Sequence, residues 1–352
     1  MTDRPVIALA LGDAAGIGSE LAARALAEAE LREAAAFVLF GDRRQLAEGA
    51  RQAGIEPPAE GPDLRLVDLG NLDAAEIRPG EGSARTGAAA LDNFAAALGY
   101  CAAGGAQAVC FTPFNKHSMR LAKPDYVDEI GFVRAVIEVE AEGREFNVLD
   151  ELWNARVTSH VPLREVAGLI DRGRVLDSLR LTDATMRKAG RPRPRIAVAA
   201  LNPHAGDGGN FGAEEAEILA PAVAEAQAEQ LAVAGPIPSD TVYMRAVRGE
   251  FDAVLSMYHD QGQIAMKLIG FDRGVTLIGG FPFWIATPAH GTAYDIAGQG
   301  RADPNATKRA LLLAAELAAR DGGGAPDAAA EAAALDRAEA ARRALRPQLT
   351  TS

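Results

Sequence analysis

The stretch from Val6 to Glu20, which reads VIALALGDAAGIGSE, predicts the architecture of the chain. Its first part, Val6 to Leu11, is an uninterrupted apolar run of strand length, and a glycine-containing turn follows it. We expect the Ala-, Leu- and Glu-rich segment beyond the turn to be a helix from Ser19 to Ala36, after which Phe37 to Phe40 supplies the next strand. An apolar strand that leads directly into a helix is typical of a parallel sheet flanked by helices.

The same alternation continues along the chain. Alanine-rich stretches separate further short apolar runs, which predict strands at Ala108–Phe111, Phe146–Leu149, Ala155–Thr158, Arg195–Ala199 and Ala253–Ser256. The polar segment from Glu60 to Arg85 contains scattered Pro and Gly, and we expect a hairpin or an interdomain excursion there. The sequence therefore predicts an α/β fold with a mostly parallel sheet, whose ligands gather beyond the carboxyl ends of the strands.

Composition narrows the class of protein. A chain of 352 residues with 48% apolar and 24% charged residues is long enough for two domains or one large α/β unit. The net charge of −12 and the lack of a basic block argue against a nucleic-acid partner. The apolar run near the N-terminus is too short for a signal peptide or a membrane span, so we expect a cytoplasmic protein. Two cysteines, Cys101 and Cys110, give no disulfide framework and are expected to be reduced.

Three of the five histidines stand in turn-forming contexts just after predicted strands. They are His160 in SHVPL, His204 in NPHAG and His259 in YHDQG. Imidazole is the commonest side-chain ligand, so three such histidines predict one divalent metal site assembled from distant segments. Taken singly, each is more simply explained as a partly buried turn histidine. The metal site is favoured by other polar residues in similar contexts, namely Asp240, Asp260, Lys116 and Lys267.

Two glycine-rich elements carry different information. The segment Gly12–Glu20 follows a strand and opens a helix, but its G-x-x-x-G-x-G spacing is not the dinucleotide-binding fingerprint. A tight structural turn and a ligand-contacting loop are equally good interpretations of it. The segment His290–Gly298, which reads HGTAYDIAG, is more specific.

That second segment resembles the adenine-side cofactor loop of the isocitrate and isopropylmalate dehydrogenase superfamily. With NPHAG, PSDT at 238–241, YHDQG and the Gly12–Glu20 loop, the chain is similar to the 4-hydroxythreonine-4-phosphate dehydrogenase family from about Val6 to Leu317. The resemblance implies the two-domain α/β fold of that superfamily, NAD or NADP as cofactor and one divalent ion, which is zinc, magnesium, manganese or cobalt. It also implies a small-molecule substrate and a homodimer with an active site between domains and subunits.

We accordingly divide the chain into three parts. Residues 1–130 and 285–320 are expected to form a discontinuous cofactor-side domain. Residues 131–284 are expected to form a second α/β domain with the metal histidines and the dimer contacts. Residues 321–352 are an alanine-rich tail that begins with Gly322–Gly324, and we expect a flexible hinge followed by a solvated or docking helix.

The resemblance assigns roles residue by residue. The implied metal ligands are His160, His204 and His259. The implied catalytic residues are Lys116, Asp240, Asp260 and Lys267. The implied cofactor contacts are His290, Gly291, Thr292, Ala293, Asp295, Asp303 and Asn305. For Asp240, capping of a helix that begins near Thr241 is an equally good interpretation.

The substrate side departs from the family pattern. The family's His-Thr pair is replaced by Glu129 and Ile130, its asparagine by Thr276 and its arginine by Ile285, whereas Lys267 matches its substrate-side lysine. Because these changes remove cationic and donor groups that a phosphate dianion needs, we predict an unphosphorylated hydroxy acid or cis-diol carboxylate, oxidised at a secondary hydroxyl, with or without decarboxylation. The alternatives are the 4-hydroxythreonine-4-phosphate dehydrogenase of pyridoxal phosphate biosynthesis, with other residues binding the phosphate, and a non-dehydrogenase relative such as a phosphate acyltransferase.

Overall fold

Strands and helices alternate along the chain as the sequence predicts, in a computed structural model that describes residues 4–73, 75 and 77–350. The strands are β1 (Val6–Ala10), β2 (Ala36–Gly41), β3 (Leu64–Asp68), β4 (Ala108–Phe111), β5 (Arg144–Val148), β6 (Trp153–Arg156), β7 (Ile196–Ala199), β8 (Val233–Ile237), β9 (Ala253–Ser256), β10 (Val275–Gly279) and β11 (Trp284–Pro288). The α-helices are α1 (Gly18–Leu26), α2 (Ala29–Ala34), α3 (Arg43–Ala53), α4 (Ala84–Ala102), α5 (Lys116–Ala122), α6 (Glu129–Ile137), α7 (Leu163–Leu169), α8 (Arg172–Lys188), α9 (Ala220–Ala228), α10 (Ser239–Val247), α11 (His259–Gly270), α12 (Asn305–Arg320) and α13 (Ala328–Leu345).

The chain forms two compact units. The first contains the residues up to Gly143 and those from Phe281 onward, and the second is Arg144–Gly280. In the first unit the strands run in the order β3-β2-β1-β4-β11, and every neighbouring pair is parallel. Strand β1 is buried along its whole length, as expected for a central strand that helices cover on both faces.

Helix α4 is the central helix of the first unit. It begins at a capping box, in which the Ser83 and Thr86 side chains each accept from the other residue's backbone N–H, and its residues from Thr86 to Cys101 are buried. In the described part of the chain, no helix is long and apolar enough to cross a bilayer, and this includes α4.

The C-terminal tail is an integral part of the first unit. A Cβ atom on Gly99 of α4 would lie 2.8 Å from the carbonyl oxygen of Arg337 and 3.1 Å from the Cα atom of Ala338 in α13, so the two helices approach closely at a glycine. The side chain of Arg342 in α13 is also buried against Asp92 of α4. Of the two possibilities that the sequence left open for this helix, the structure therefore shows the docked one.

The second unit has a mixed sheet. Its strands run in the order β10-β5-β6-β9-β7-β8, with β5 antiparallel to both β10 and β6, whereas β6, β9, β7 and β8 are parallel. Apolar residues of β7, β9, α10 and α11 form a shared core that includes Ala199, Val254, Val242 and Met266. The parallel block places the carboxyl ends of β6, β9 and β7 side by side at one edge.

Several expectations about elements are corrected. The helix expected over Ser19–Ala36 is two helices, α1 and α2, because the backbone is extended at Glu28. The polar segment from Glu60 to Arg85 contains a strand, β3, which pairs with β2. The sequence also failed to predict β8, β10 and β11; β8 reads VAGPI, and its Gly and Pro are unusual in a strand interior.

Candidate active site

The three candidate metal histidines follow three adjacent parallel strands. His160 comes shortly after β6, His204 comes after β7, and His259 is the first residue of α11 directly beyond β9. Because β9 lies between β6 and β7 in the sheet, the segments that bear all three histidines leave from one edge. This is the placement that ligand-binding residues of open α/β sheets have.

Two of the histidines are close together. The ring centroids of His160 and His259 are 5.4 Å apart. Nδ1 of His259 lies 2.7 Å from a carboxylate oxygen of Asp260, which leaves Nε2 of that ring available to bind a ligand. A carboxylate that holds the far nitrogen of a metal-binding histidine fixes the orientation of the ring.

The third histidine lies in an unusual backbone turn. His204, Ala205 and Asp207 have φ values of 53°, 54° and 44°, in the left-handed region that residues with a Cβ atom rarely adopt. The segment just before the turn is anchored by buried Glu215, whose Oε1 accepts the backbone N–H of Leu201 (2.9 Å) and Asn202 (2.7 Å). Backbone conformations of this kind cluster at functional sites, which makes this turn a candidate for one. His204 itself is exposed, with its ring 6.2 Å from that of Phe211.

The donor set fits a divalent ion in part. Two imidazoles on one tetrahedral ion, each with a metal–nitrogen distance of about 2.0–2.1 Å, would have centroids roughly 5 Å apart, close to the separation of His160 and His259. Over residues 4–73, 75 and 77–350, however, no three side chains of the His, Cys, Asp or Glu types are grouped so as to hold one ion. The convergence of His204 on the other two histidines therefore stays a prediction.

Two further candidates of this unit are at helix surfaces. Asp240 is the second residue of α10, exposed in its first turn, and the residue at the cap position is Pro238. The capping interpretation of Asp240 is therefore wrong, because the helix begins two residues earlier than the sequence suggested. Lys267 is exposed on α11 with its Nζ atom 5.9 Å from the centroid of the Phe271 ring.

In the first unit, the expected cofactor loop is fixed to the glycine-rich turn after β1. The backbone N–H of Ile17 donates to the carbonyl of Thr292 (3.1 Å), and a Cβ atom on Gly16 would lie 2.8 Å from the Cβ atom of Thr292. Gly16 therefore serves close backbone packing, which supports the structural interpretation of this turn.

A partly buried hydrogen bond joins the same two segments. The hydroxyl of Tyr294 donates to Asp13 at 2.9 Å and lies 3.3 Å from the hydroxyl of Ser118 in α5. Burial raises the pKa of Asp13 above its ordinary value, although hydrogen bonds from the Ala15 backbone N–H and from Tyr294 act in the opposite direction. Asp13 thus links the turn, the loop and the helix that begins with Lys116.

The loop exposes small residues where the resemblance implies cofactor contacts. Gly291 is exposed, and a Cβ atom there would meet no protein atom within 4 Å. Ala293 has φ 42° and Asp295 is exposed. His290 is mostly buried, and burial lowers its pKa, whereas the nearby Asp303 acts in the opposite direction.

The other two expected cofactor contacts lie at the start of α12. Asp303 accepts the backbone N–H of Asn305 (2.9 Å), and Asn305 is the first residue of the helix. Both residues are exposed.

The substrate-side residues differ in accessibility. Glu129 is buried at the start of α6 and forms an ion pair with Lys116, whose Nζ atom is 2.8 Å from its Oε2 atom. Ile130 is half-buried, and Thr276 in β10 accepts a hydrogen bond of 3.4 Å from Asn147. Ile285 is fully buried within β11, so its contact with substrate stays a prediction that the burial does not favour.

Comparisons with known proteins decide the family. The family model described as "Pyridoxal phosphate biosynthetic protein PdxA" matches residues 29–314. The chain belongs to the PdxA family. This membership makes it an oxidoreductase, a dehydrogenase that acts on a CH–OH group.

The PdxA relatives span nearly the whole chain. A Rhizobium meliloti protein, provisionally named 4-hydroxythreonine-4-phosphate dehydrogenase 2, is 54% identical over 90% of this chain and 94% of its own. The structure of 4-hydroxythreonine-4-phosphate dehydrogenase from Klebsiella pneumoniae is 34% identical, with a TM-score of 0.79, and covers 90% of this chain and 98% of its own. That of terephthalate 1,2-cis-dihydrodiol dehydrogenase from Burkholderia xenovorans LB400 is 28% identical, with a TM-score of 0.59, and covers 86% and 95%.

Sequence reasoning missed several residues whose side chains form hydrogen bonds within or beside these PdxA motifs. They are Asp13, Glu215, Ser239, Gln261 and Tyr294. Four of them lie within or beside a quoted motif, so proximity in sequence was a usable indication for them. Glu215 had none, because it lies 11 residues beyond His204 in an acidic helical stretch.

Proposed function

We propose that this protein is a divalent-metal- and NAD(P)-dependent dehydrogenase that oxidises a secondary hydroxyl of a phosphorylated hydroxy acid, with 4-hydroxythreonine 4-phosphate as the first substrate to test. The observation that carries the proposal is the close His160–His259 pair beyond adjacent strands, in a chain whose PdxA relatives are named for that substrate. The family membership favours a dehydrogenase over the acyltransferase-like alternative.

The second unit supplies the metal ligands in this proposal. His160 and His259 bind the ion, His204 is the third ligand, and Asp260 orients the ring of His259. A bound divalent ion lowers the pKa of a hydroxyl that it holds and stabilises negative charge on its oxygen. Asp240 and Asp260 are exposed carboxylates available to take the hydroxyl proton, and Lys267 is an exposed cation for an anionic substrate.

The first unit supplies the cofactor loop. We assign the adenine side of NAD(P) to His290, Gly291, Thr292, Ala293 and Asp295, with Asp303 and Asn305 beside them. The open space next to Gly291 supports this assignment, since a flat ring can approach the backbone there. The contacts of Thr292 and Tyr294 with the glycine-rich turn hold the loop in a fixed shape.

A specific observation favours a second candidate substrate, the unphosphorylated hydroxy acid or cis-diol carboxylate. The ion pair of Lys116 with Glu129 offsets the positive charge of this lysine, and a buried isoleucine stands where the family has an arginine. Charge-assisted hydrogen bonds contribute roughly 1.5–3 kcal/mol each, so the missing arginine and histidine weigh against a phosphate dianion.

We also propose that the protein is a homodimer. Apolar side chains on and just beyond α11 support an interface, because Ile264, Leu268 and Phe271 are 62%, 83% and 58% exposed at helical spacing. Light scattering after gel filtration should give twice the chain mass of 36.8 kDa. A monomer mass at micromolar concentration would contradict the proposed dimer. It would not bear on the proposed reaction, which the turnover assay tests separately.

The deciding experiment measures NADH or NADPH formation with and without a chelator. We expect turnover of 4-hydroxythreonine 4-phosphate that disappears on chelation and returns with Mg²⁺, Mn²⁺, Co²⁺ or Zn²⁺. His160→Ala and His259→Ala should abolish turnover with the fold retained, whereas His117→Ala, which changes an exposed histidine of α5, should not. Turnover that survives chelation would overturn the metal mechanism.

The same assay separates the two candidate substrates. The specificity constant kcat/KM is compared between the phosphate ester and a panel of unphosphorylated hydroxy acids and diol carboxylates. If the phosphate ester is the poorer substrate by a wide margin, the second candidate replaces the first. Glu129→Gln, which removes the partner charge of Lys116, should then shift the ratio of specificity constants towards the phosphate ester.

A further inference from the structure

We infer that Gln261 is a positioning residue for the candidate metal site, because its side-chain amide binds the backbone just beyond two strands that candidate metal histidines follow, and a hydroxyl beside Asp240. The inference goes beyond the proposed function and rests on its metal dependence. Gln261 lies two residues after His259, on the first turn of α11.

The amide of Gln261 uses both of its ends. Its Oε1 atom accepts the backbone N–H of Met257 at 2.6 Å, just beyond β9. Its Nε2 atom donates to the carbonyl oxygen of Ala200 at 2.8 Å, just beyond β7, and to Oγ of Ser239 at 2.9 Å, at the start of α10. The hydroxyl of Ser239 donates in turn to the same carbonyl of Ala200 at 2.6 Å.

Two further hydrogen bonds connect Met257, and through it Gln261, to the segment that carries His160. The carbonyl of Met257 accepts both the backbone N–H of Thr158 (3.1 Å) and its hydroxyl (2.8 Å). Thr158 follows β6 and precedes His160 by two residues. Met257 therefore links Gln261 through its N–H and the His160 segment through its carbonyl.

These hydrogen bonds connect every segment of this unit that carries a proposed metal ligand or a proposed proton-accepting carboxylate. Ala200 lies four residues before His204, Ser239 is next to Asp240, and Met257 lies two residues before His259. Met257, Ala200 and Thr158 are buried, so unmade hydrogen bonds of their backbone groups could not be replaced by water without local opening.

The geometry matters because the histidines themselves are not held by burial. His160 and His204 are exposed, and the side chain of His259 is 36% exposed. Metal ligands must be held to within about half an ångström, which requires supporting hydrogen bonds where packing does not fix them. Loss of such supporting contacts typically lowers metal affinity by roughly 10–100-fold.

The test measures Co²⁺ binding to the full chain by calorimetry and by the visible absorption of the bound ion. Gln261→Met keeps the length of the side chain and removes all three hydrogen bonds. We expect it to weaken Co²⁺ binding by roughly 10–100-fold and to change the absorption spectrum of bound Co²⁺, with unchanged far-UV circular dichroism. The matched control is Gln227→Met, which removes a 2.9 Å hydrogen bond from another glutamine of this unit to the Val233 carbonyl and should leave the affinity unchanged.

If Gln261→Met does not fold, two more conservative substitutions test the role of Gln261. Gln261→Glu keeps the acceptor for Met257 and loses both donated hydrogen bonds, and Ser239→Ala removes one partner. Each should weaken Co²⁺ binding, Ser239→Ala by less. Co²⁺ affinities of the folded variants within about twofold of the wild type would overturn the inference and leave the proposed function standing. Absence of Co²⁺ binding by the wild-type protein would overturn both.

Discussion

Replacement of Arg342 by methionine should destabilise the first unit although Arg342 lies in the alanine-rich tail. Its guanidinium donates to both oxygens of Asp92, at 3.0 and 2.8 Å, and to Glu339 at 2.8 Å. It also donates to the carbonyl of Leu69 at 3.3 Å. The side chains of Arg342 and Asp92 are only 7% and 5% exposed, so the pair is buried.

Arg342→Met destabilises the protein because it leaves the buried carboxylate of Asp92 without its main partner. Loss of one partner of a buried ion pair costs roughly 3–5 kcal/mol, far more than loss of an exposed pair. Here Asn71 still donates to Asp92 at 2.7 Å, and Arg346, which is half-exposed, lies 3.7 Å away. Because both residues stabilise the unpaired carboxylate in part, we expect Arg342→Met to lower the free energy of unfolding by about 3 kcal/mol, the lower end of this range.

Urea unfolding measures this loss in the relevant unit. The chain has two tryptophans, and Trp284 is buried in β11 of the first unit. In a Trp153→Phe background its fluorescence reports unfolding at β11, within the unit that contains the Arg342–Asp92 pair. The matched control is Arg343→Met on the same helix, which removes a 3.1 Å contact with Glu339 from a side chain that is 75% exposed and should cost less than about 0.5 kcal/mol.

A double variant separates the charge effect from the packing effect. Asp92→Leu combined with Arg342→Met removes both charges, so its free energy of unfolding should fall by less than the sum of the single losses. A cost below about 1 kcal/mol for Arg342→Met, or strictly additive losses, would refute the argument that this ion pair fastens the tail to α4.

Two predictions concern the cofactor loop. Gly291→Val should raise the KM for NAD(P) more than the KM for the hydroxy-acid substrate with little loss of stability, because a Cβ atom there meets no protein atom within 4 Å. An unchanged cofactor KM would contradict the loop assignment. His290→Gln should make stability less sensitive to acid. Burial lowers the pKa of His290 below its ordinary 6.5, so the unfolded chain takes up the proton first, and wild-type stability falls as the pH drops through 6.5 towards the folded-state pKa. Thermal unfolding of both proteins between about pH 8 and pH 5 should reveal a growing advantage of the variant, and parallel curves would count against it.

The sequence by itself determined the fold class, the family and the motifs that mark the site. Continuous apolar runs such as Val6–Leu11 predict buried strands because each run is a local property of the chain. The sequence also showed that His160, His204 and His259 lie in turn-forming segments just after predicted strands. The same approach failed for the break between α1 and α2, because alanine and glutamate favour helix on both sides of it.

Only the tertiary structure decided which of these residues meet. Strand order places β9 between β6 and β7, and hence His259 near His160, although about a hundred residues separate them in sequence. The antiparallel pairing of β5 with β10 and the docking of α13 on α4 are likewise contacts between distant segments. Such contacts depend on how whole elements pack and on which buried polar groups find partners, and neither is encoded in the periodicity of a single segment.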